Sequence, residues 1–156
     1  MRYLAKRVER ICDELYRLRI VQRIPLTDLI CKKGTYIRPE AADAATPPWT
    51  SFDSRTMHWY GPDEHYWFRT EFTVPKALNG KAMWLNVRTQ IEGDDGKNPQ
   101  FLLFVNNVPV QGMDMNHRDV LLSPKAISGE KLVFDLQAYT GTIHNEFNLF
   151  KEIQEI

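Results

Sequence analysis

Five polar residues crowd one short stretch of this chain: Asp114, Asn116, His117, Arg118 and Asp119, all within residues 114–119. The carboxylates accept hydrogen bonds, the amide both donates and accepts, and the imidazole and guanidinium donate. Mixed donors and acceptors of this kind suit the hydroxyls of a sugar, and an arginine can fork onto a carboxylate. The same residues are equally readable as a loop whose side chains satisfy one another and the nearby backbone. A second candidate is Trp59 with Tyr60, inside an aromatic run that also holds Trp49, Phe52, Tyr66, Trp67 and Phe68. Aromatic faces stack on the C–H faces of sugar rings, but such residues are more often buried, so packing in the core or along a sheet edge is their commoner fate.

Other chemistries lack their patterns. The four histidines, His58, His65, His117 and His144, stand in no H-E-x-x-H arrangement, and no Cys-x-x-Cys is present. There is no G-x-S-x-G, no G-x-G-x-x-G and no phosphate loop. Asp63-Glu64-His65 pairs two acids with an imidazole, but acids are common in turns, and a turn or strand cap is the favoured reading. Neither a catalytic residue nor a metal ligand is expected in this chain.

The elements that would position the polar stretch read as strands. Phe101 to Val105 is a continuous apolar run, suited to a strand buried on both faces. Asn106-Asn107 is a hairpin turn, since asparagine tolerates positive φ, and Val108 and Val110 return the chain. Upstream, Phe68, Thr70, Phe72 and Val74 alternate with Trp67, Arg69, Glu71 and Thr73 as a half-buried strand. Leu78-Asn79-Gly80-Lys81 is a turn, and Met83, Leu85 and Val87 mark a second alternating strand. Residues 92–99 read as a solvated polar loop, without the ligand spacing of a calcium site. Leu132, Phe134 and Leu136 mark a further strand.

The ends read as helices. Leu4, Val8, Ile11, Leu15 and Leu18 fall on one face of a helix that stops before Pro25. That stripe must be covered, either by the sheet or by something outside this chain; core packing is the commoner outcome. Phe147, Phe150, Ile153 and Ile156 recur near every third residue, which predicts the start of a second helix. It has no C-cap before the sequence stops, as expected of a piece cut from a longer protein. The resulting plan is a helix over residues 1–23, an extended aromatic-rich connection over 24–65, a β-sandwich core over 66–142, and a linker or helix over 143–156. The fold class is mainly β: a jelly-roll-like antiparallel β-sandwich, galactose-binding-like, with helical ends.

A chain of 156 residues has room for one domain with a real core. Net charge is zero, which gives no global field towards nucleic acid or membrane. Residues 1–23 nevertheless hold seven Lys or Arg against three acids, which predicts that this segment lies across an acidic surface. Cys12 and Cys31 lack the spacing of a metal or redox motif, and the first residues build no signal peptide. No run reaches transmembrane length. A cytoplasmic protein with reduced thiols is expected.

Four blocks, DEHYWFRTEFTVP, Leu78-Asn79-Gly80-Lys81, QFLLFVNNVPVQGMDMNHRDVLL and LVFDLQAYTG, together resemble the N-terminal region of glycoside hydrolase family 38 α-mannosidases, in their cytosolic and bacterial branch. The resemblance covers the whole chain. Relatives often have Asn-Gly where this chain has Asn106-Asn107. The resemblance implies a non-catalytic domain preceding a catalytic domain that carries zinc and an acidic nucleophile, in an enzyme that hydrolyses α-mannosides with retention. No catalytic residue carries over. The implied partners are the enzyme's own catalytic domain and a mannose-containing oligosaccharide, with neither nucleic acid nor membrane. Three roles follow: an accessory sandwich lending residues 114–118 to an active-site rim, an autonomous carbohydrate-binding module using Trp59, Tyr60 or Trp67, or a structural domain whose helix makes homo-oligomer contacts.

Overall fold

A computed structural model describes residues 2–89, 98–142 and 146–155. His144 and most of the polar loop expected over 92–99 lie outside the described residues. The chain runs through α1 (Arg2–Leu18), β1 (Gln22–Leu26), β2 (Leu29–Lys33), α2 (Pro39–Ala44), β3 (Thr50–Phe52), β4 (Trp59–Tyr60) and β5 (His65–Thr73). It continues through β6 (Met83–Arg88), β7 (Gln100–Val105), β8 (Val108–Met113), β9 (Asp119–Ser123), β10 (Lys131–Tyr139), β11 (Glu146–Phe147) and β12 (Phe150–Glu155).

Two antiparallel sheets form a sandwich. One has the order β1-β12-β6-β9 and the other β3-β2-β5-β10-β7-β8, with β4 and β11 paired separately. The chain passes repeatedly from one sheet to the other, as between β5 and β6 and between β8 and β9. Leu85, Val87, Val120 and Ile153 from the smaller sheet meet Phe68, Leu103, Phe134 and Leu136 from the larger one in a single apolar core. The alternation read from the sequence in β5 and β6 is the alternation of this inner face.

β7 is covered on both sides, as its unbroken apolar run predicts. Phe101 and Leu103 enter the inter-sheet core, while Phe104 packs with Trp67 and Ala42 on the far face. Asn106 and Asn107 have φ of 50° and 66° and close the β7–β8 hairpin. Asn106 also extends the sheet, because its side-chain Oδ1 accepts from the Val133 N–H at 2.8 Å. Asn107 → Gly is therefore expected to stabilise the protein by about 0.5 kcal/mol, since glycine removes the left-handed strain and the Asn106 bond survives. Urea denaturation of the two proteins measures the difference.

Three sequence-based expectations change. Residues 24–65 are more than a connection: they supply β1 to the smaller sheet, and β2 and β3 to the larger. Pro25 is tolerated there because β1 is an edge strand, paired only with β12. The residues between β2 and β3 also roof the larger sheet. Lys32 donates to the carbonyls of Ala42 and Ala45, and Trp49 Nε1 donates to Asp43 at 2.9 Å.

The tail is a strand and not a helix. β12 lies between β1 and β6, and the positions in phase with the core-facing Ile153 alternate: Phe147, Leu149, Lys151 and Ile153, while Glu152 and Gln154 are buried on the other face. A lysine in an inward position hides that period, which leaves the weaker three-residue spacing as the visible signal.

Finally, α1 forms as its apolar stripe requires but does not pack on the sandwich. Leu4, Val8, Ile11, Leu15 and Leu18 are 52–75% exposed. The pattern specifies a helix with an apolar face; it carries no information about which surface covers that face. Among the described residues no helix is long and apolar enough to cross a membrane.

Candidate functional site

Residues 114–118 connect β8 to β9, which begins at Asp119, so the loop spans the two sheets at one end of the sandwich. Met113 and Met115 anchor it in buried positions, and the Arg118 carbonyl accepts from the Val87 N–H at 3.0 Å. Asp114 organises the turn. Its Oδ1 accepts from the backbone N–H of Asn116 and of His117, both at 2.8 Å, and lies 3.0 Å from His117 Nδ1. What little burial Asp114 has works against its charge, but these N–H groups hold its carboxyl below the usual range. Asp114 and His117 thus largely satisfy each other, as the loop reading of the sequence allowed. The void beneath them, of about 10 Å³, has no room for a sugar.

Asn116, Arg118 and Asp119 do something else. They border a cleft of about 590 Å³ on the outer face of the smaller sheet, beside the C-terminal end of α1. The pairing register builds its floor. Arg23 of β1 lies opposite Gln154 of β12, Glu152 opposite Asn86 of β6, and Asn86 opposite Asp119 of β9. The row Glu152, Asn86 and Asp119 crosses three strands, and Arg23 of β1 reaches it diagonally, since the residue opposite Glu152 on β1 is Pro25. Glu152 accepts from Arg23 Nη1 at 2.8 Å, Arg88 Nη2 at 3.3 Å and Gln154 Nε2 at 2.6 Å. Asn86 Nδ2 donates to Asp119 at 2.7 Å. From α1 and the residues just after it, Arg17 and Arg19 enter the lining, with Arg19 stacked on the Tyr16 ring at 3.9 Å. Of the basic N-terminal segment expected to lie across an acidic surface, Arg23 pairs with Glu152, while Arg17 and Arg19 end beside Arg88 and Arg118.

Trp59 is excluded as a platform. It is 1% exposed, packs edge-on against Tyr66 and Phe68 and beside Phe101 and Phe147, and donates its Nε1 to the Asn148 carbonyl at 3.3 Å. Its apolar area is used in the core, the commoner fate of a tryptophan. Tyr60 is half-exposed but lies outside the cleft lining, and its carbonyl accepts from Tyr66 Oη at 2.9 Å. Asp63, Glu64 and His65 do not form a cluster: Asp63 accepts from the Tyr139 hydroxyl, His65 stacks on the Tyr139 ring, and Glu64 pairs with Lys33. Among the described residues no group of three or more His, Cys, Asp or Glu is placed to hold a metal ion.

The sequence pointed to Asn116, Arg118 and Asp119 but missed Arg23, Asn86, Arg88 and Gln154. Their only signal was the polar phase of the β6 alternation, Asn86 and Arg88, and the excess of arginine in residues 1–23.

No family model and no curated protein matches this chain. Solved structures do. The chain is similar to the β-glucuronidase from Ruminococcus gnavus, including its complex with D-glucuronic acid, at 11% identity and a TM-score of 0.55, with 86% of this chain and 29% of that one covered. A further crystal structure of Ruminococcus gnavus β-glucuronidase gives a TM-score of 0.56 at 11% identity, over 86% and 28% of the two chains. The chain thus spans less than a third of the length of the proteins it matches. At this identity the likeness is one of fold: a mainly β, antiparallel sandwich of a kind that occurs within a much longer glycoside hydrolase chain.

Proposed function

We propose that this chain is a non-catalytic β-sandwich belonging to a glycosidase, packed beside a catalytic domain to which it presents residues 114–119 and the adjoining cleft. The match of nearly the whole chain to less than a third of a glycoside hydrolase carries this reading. The polar row beneath the cleft supports it, because a sheet face rich in amides, guanidinium groups and carboxylates suits hydroxylated ligands. α-Mannosides are the substrates that the four sequence blocks imply for the parent enzyme, with zinc in its catalytic domain. The exposed α1 stripe is then a surface for that domain.

The gene beyond the codon for Ile156 supplies the first test. A following domain with paired acids and zinc-binding His and Asp residues is expected. A stop codon there, with no hydrolase retained by the purified chain, would overturn the proposal. Within the full-length enzyme, His117 → Ala with Arg118 → Ala is expected to raise KM for an α-mannoside by about tenfold, the loss of roughly one good polar contact, with unchanged thermal unfolding. Unchanged kinetics would remove the loop from the active-site rim and leave a purely structural domain.

A further inference from the structure

The cleft beside α1 is unusual in two independent ways. First, its charge is one-sided. Arg17, Arg19, Arg23 and Arg88 border it, and among the described residues the carboxylates facing them are Asp119 and Glu152. Glu152 is shared by Arg23 and Arg88, and Asp119 is held by Asn86. Among the described residues, Arg17 and Arg19 have no carboxylate within ion-pair distance.

Second, residues of the floor carry buried polar atoms that have no partner among the described residues: Asn86 Oδ1, Gln154 Oε1 and Arg88 Nε. Asn86 and Gln154 are only 7% and 2% exposed. The orientation of both amides is fixed by chemistry, because each NH2 group donates to a carboxylate: Asn86 to Asp119 and Gln154 to Glu152. The opposite oxygens therefore remain acceptors in want of a donor. Buried acceptors and donors of this kind ordinarily find a partner.

Water would satisfy the amide oxygens but leave the cation excess uncompensated. A simple anion would answer the guanidinium groups but leave the amide oxygens unpaired. A ligand with an oxyanion and hydroxyl groups answers both. We infer that the cleft bordered by Arg17, Arg19, Arg23 and Arg88 is a binding site for an anionic sugar, one bearing a carboxylate or a phosphate. Arginine favours such groups because its planar fork donates two parallel hydrogen bonds to one oxyanion. The hydroxyls donate to Asn86 and Gln154. That the ligand is a sugar rests on the proposed role; that it carries an oxyanion rests on the cleft alone.

The test is a titration of the 156-residue chain, followed by calorimetry and by amide chemical shifts, with D-glucuronate, mannose 6-phosphate, inorganic phosphate and mannose. One of the two charged sugars is expected to bind about tenfold or more tightly than mannose and than inorganic phosphate, and to weaken as salt rises. Which of them binds separates carboxylate from phosphate recognition. The Arg17 → Gln, Arg19 → Gln double variant, altered only at the end of α1 and just beyond it, is expected to lose about tenfold in affinity at unchanged thermal stability. Arg88 → Gln tests the sheet side, and Arg88 → Lys is expected to restore only part of the binding, since lysine lacks the fork. Mannose binding as tightly as both charged sugars would overturn the oxyanion assignment while leaving a glycan-facing domain intact. Inorganic phosphate binding as tightly as the charged sugars would overturn the sugar assignment. Silence with all four probes, or affinity indifferent to the helix variant, would overturn the site.

Discussion

Replacing Lys151 by methionine is expected to stabilise this protein by about 3–5 kcal/mol at pH 6, the cost of holding an ammonium in the sandwich core. Lys151 lies on β12 opposite Leu26 and Val87, in phase with the buried Ile153, and is 3% exposed. Its Nζ has no hydrogen-bond partner among the described residues. Burial pulls its pKa down to about 7, against a smaller favourable field from Asp135. Below pH 7 the lysine is charged in both the folded and the unfolded chain, and the full penalty is present. Between about 7 and 10.5 the folded protein holds a neutral amine while the unfolded chain still takes up a proton. The unfolded state then binds more protons, so stability rises with pH, by at most about 1.4 kcal/mol per unit. Cys31 and Tyr66, whose pKa values burial raises, pull the other way at the alkaline end. The difference between the wild-type and Lys151 → Met proteins isolates the lysine. Urea denaturation at pH 6, 8 and 10 should show that difference shrinking as pH rises. A variant less stable than wild type at pH 6 would mean that the ammonium has a partner or reaches water.

The same lysine explains where the sequence stopped being readable. β5, β6 and the β7–β8 hairpin declare themselves because their inward positions are apolar and their turns carry Asn-Gly or Asn-Asn. β12 does not, because one of its inward positions is charged; the period of two is broken where it was needed. β1 and β2 are five-residue strands in different sheets, one carrying Pro25, and short segments separated by a sheet crossing leave little periodicity to count. The cleft was legible only in part for a different reason. Asn116, Arg118 and Asp119 lie within four residues of the chain and stand out. Arg23, Asn86, Arg88 and Gln154 become neighbours only through strand pairing, between segments as far apart as β1 and β12. Trp59 misleads for a third reason: the ring chemistry that suits a sugar also suits a core, and only its neighbours Phe101 and Phe147 decide the matter.

Arg69 → Leu is expected to cost about 3–5 kcal/mol, the usual effect of leaving a buried charge without its counter-ion. Arg69 projects from β5 on the outer face of the larger sheet. Its Nε donates to Asp135 and its Nη1 to Asp43, each at 2.6 Å, and its guanidinium lies 4.8 Å from the centre of the Trp49 ring. Asp135 is wholly buried and its Oδ2 has no partner among the described residues, so Arg69 is its main compensation. Burial already raises the pKa of Asp135, and Arg69 opposes that rise. Without the arginine the pKa climbs further. Between the ordinary carboxylate value and that raised one, the folded variant binds the extra proton and the unfolded chain does not. Its stability therefore falls as pH rises through that window, and the deficit against wild type is smallest in acid. A second change, Asp135 → Leu on top of Arg69 → Leu, removes the orphaned carboxylate and is expected to recover half or more of the loss, because an apolar pair of similar volume has no desolvation cost to offset. Denaturation of the single and double variants at pH 4.5 and pH 7 measures all three effects. A single variant that loses less than about 1 kcal/mol at pH 7, the range of an exposed pair, would show that water reaches Asp135 and that the roof formed by α2 and Trp49 is looser than its hydrogen bonds imply.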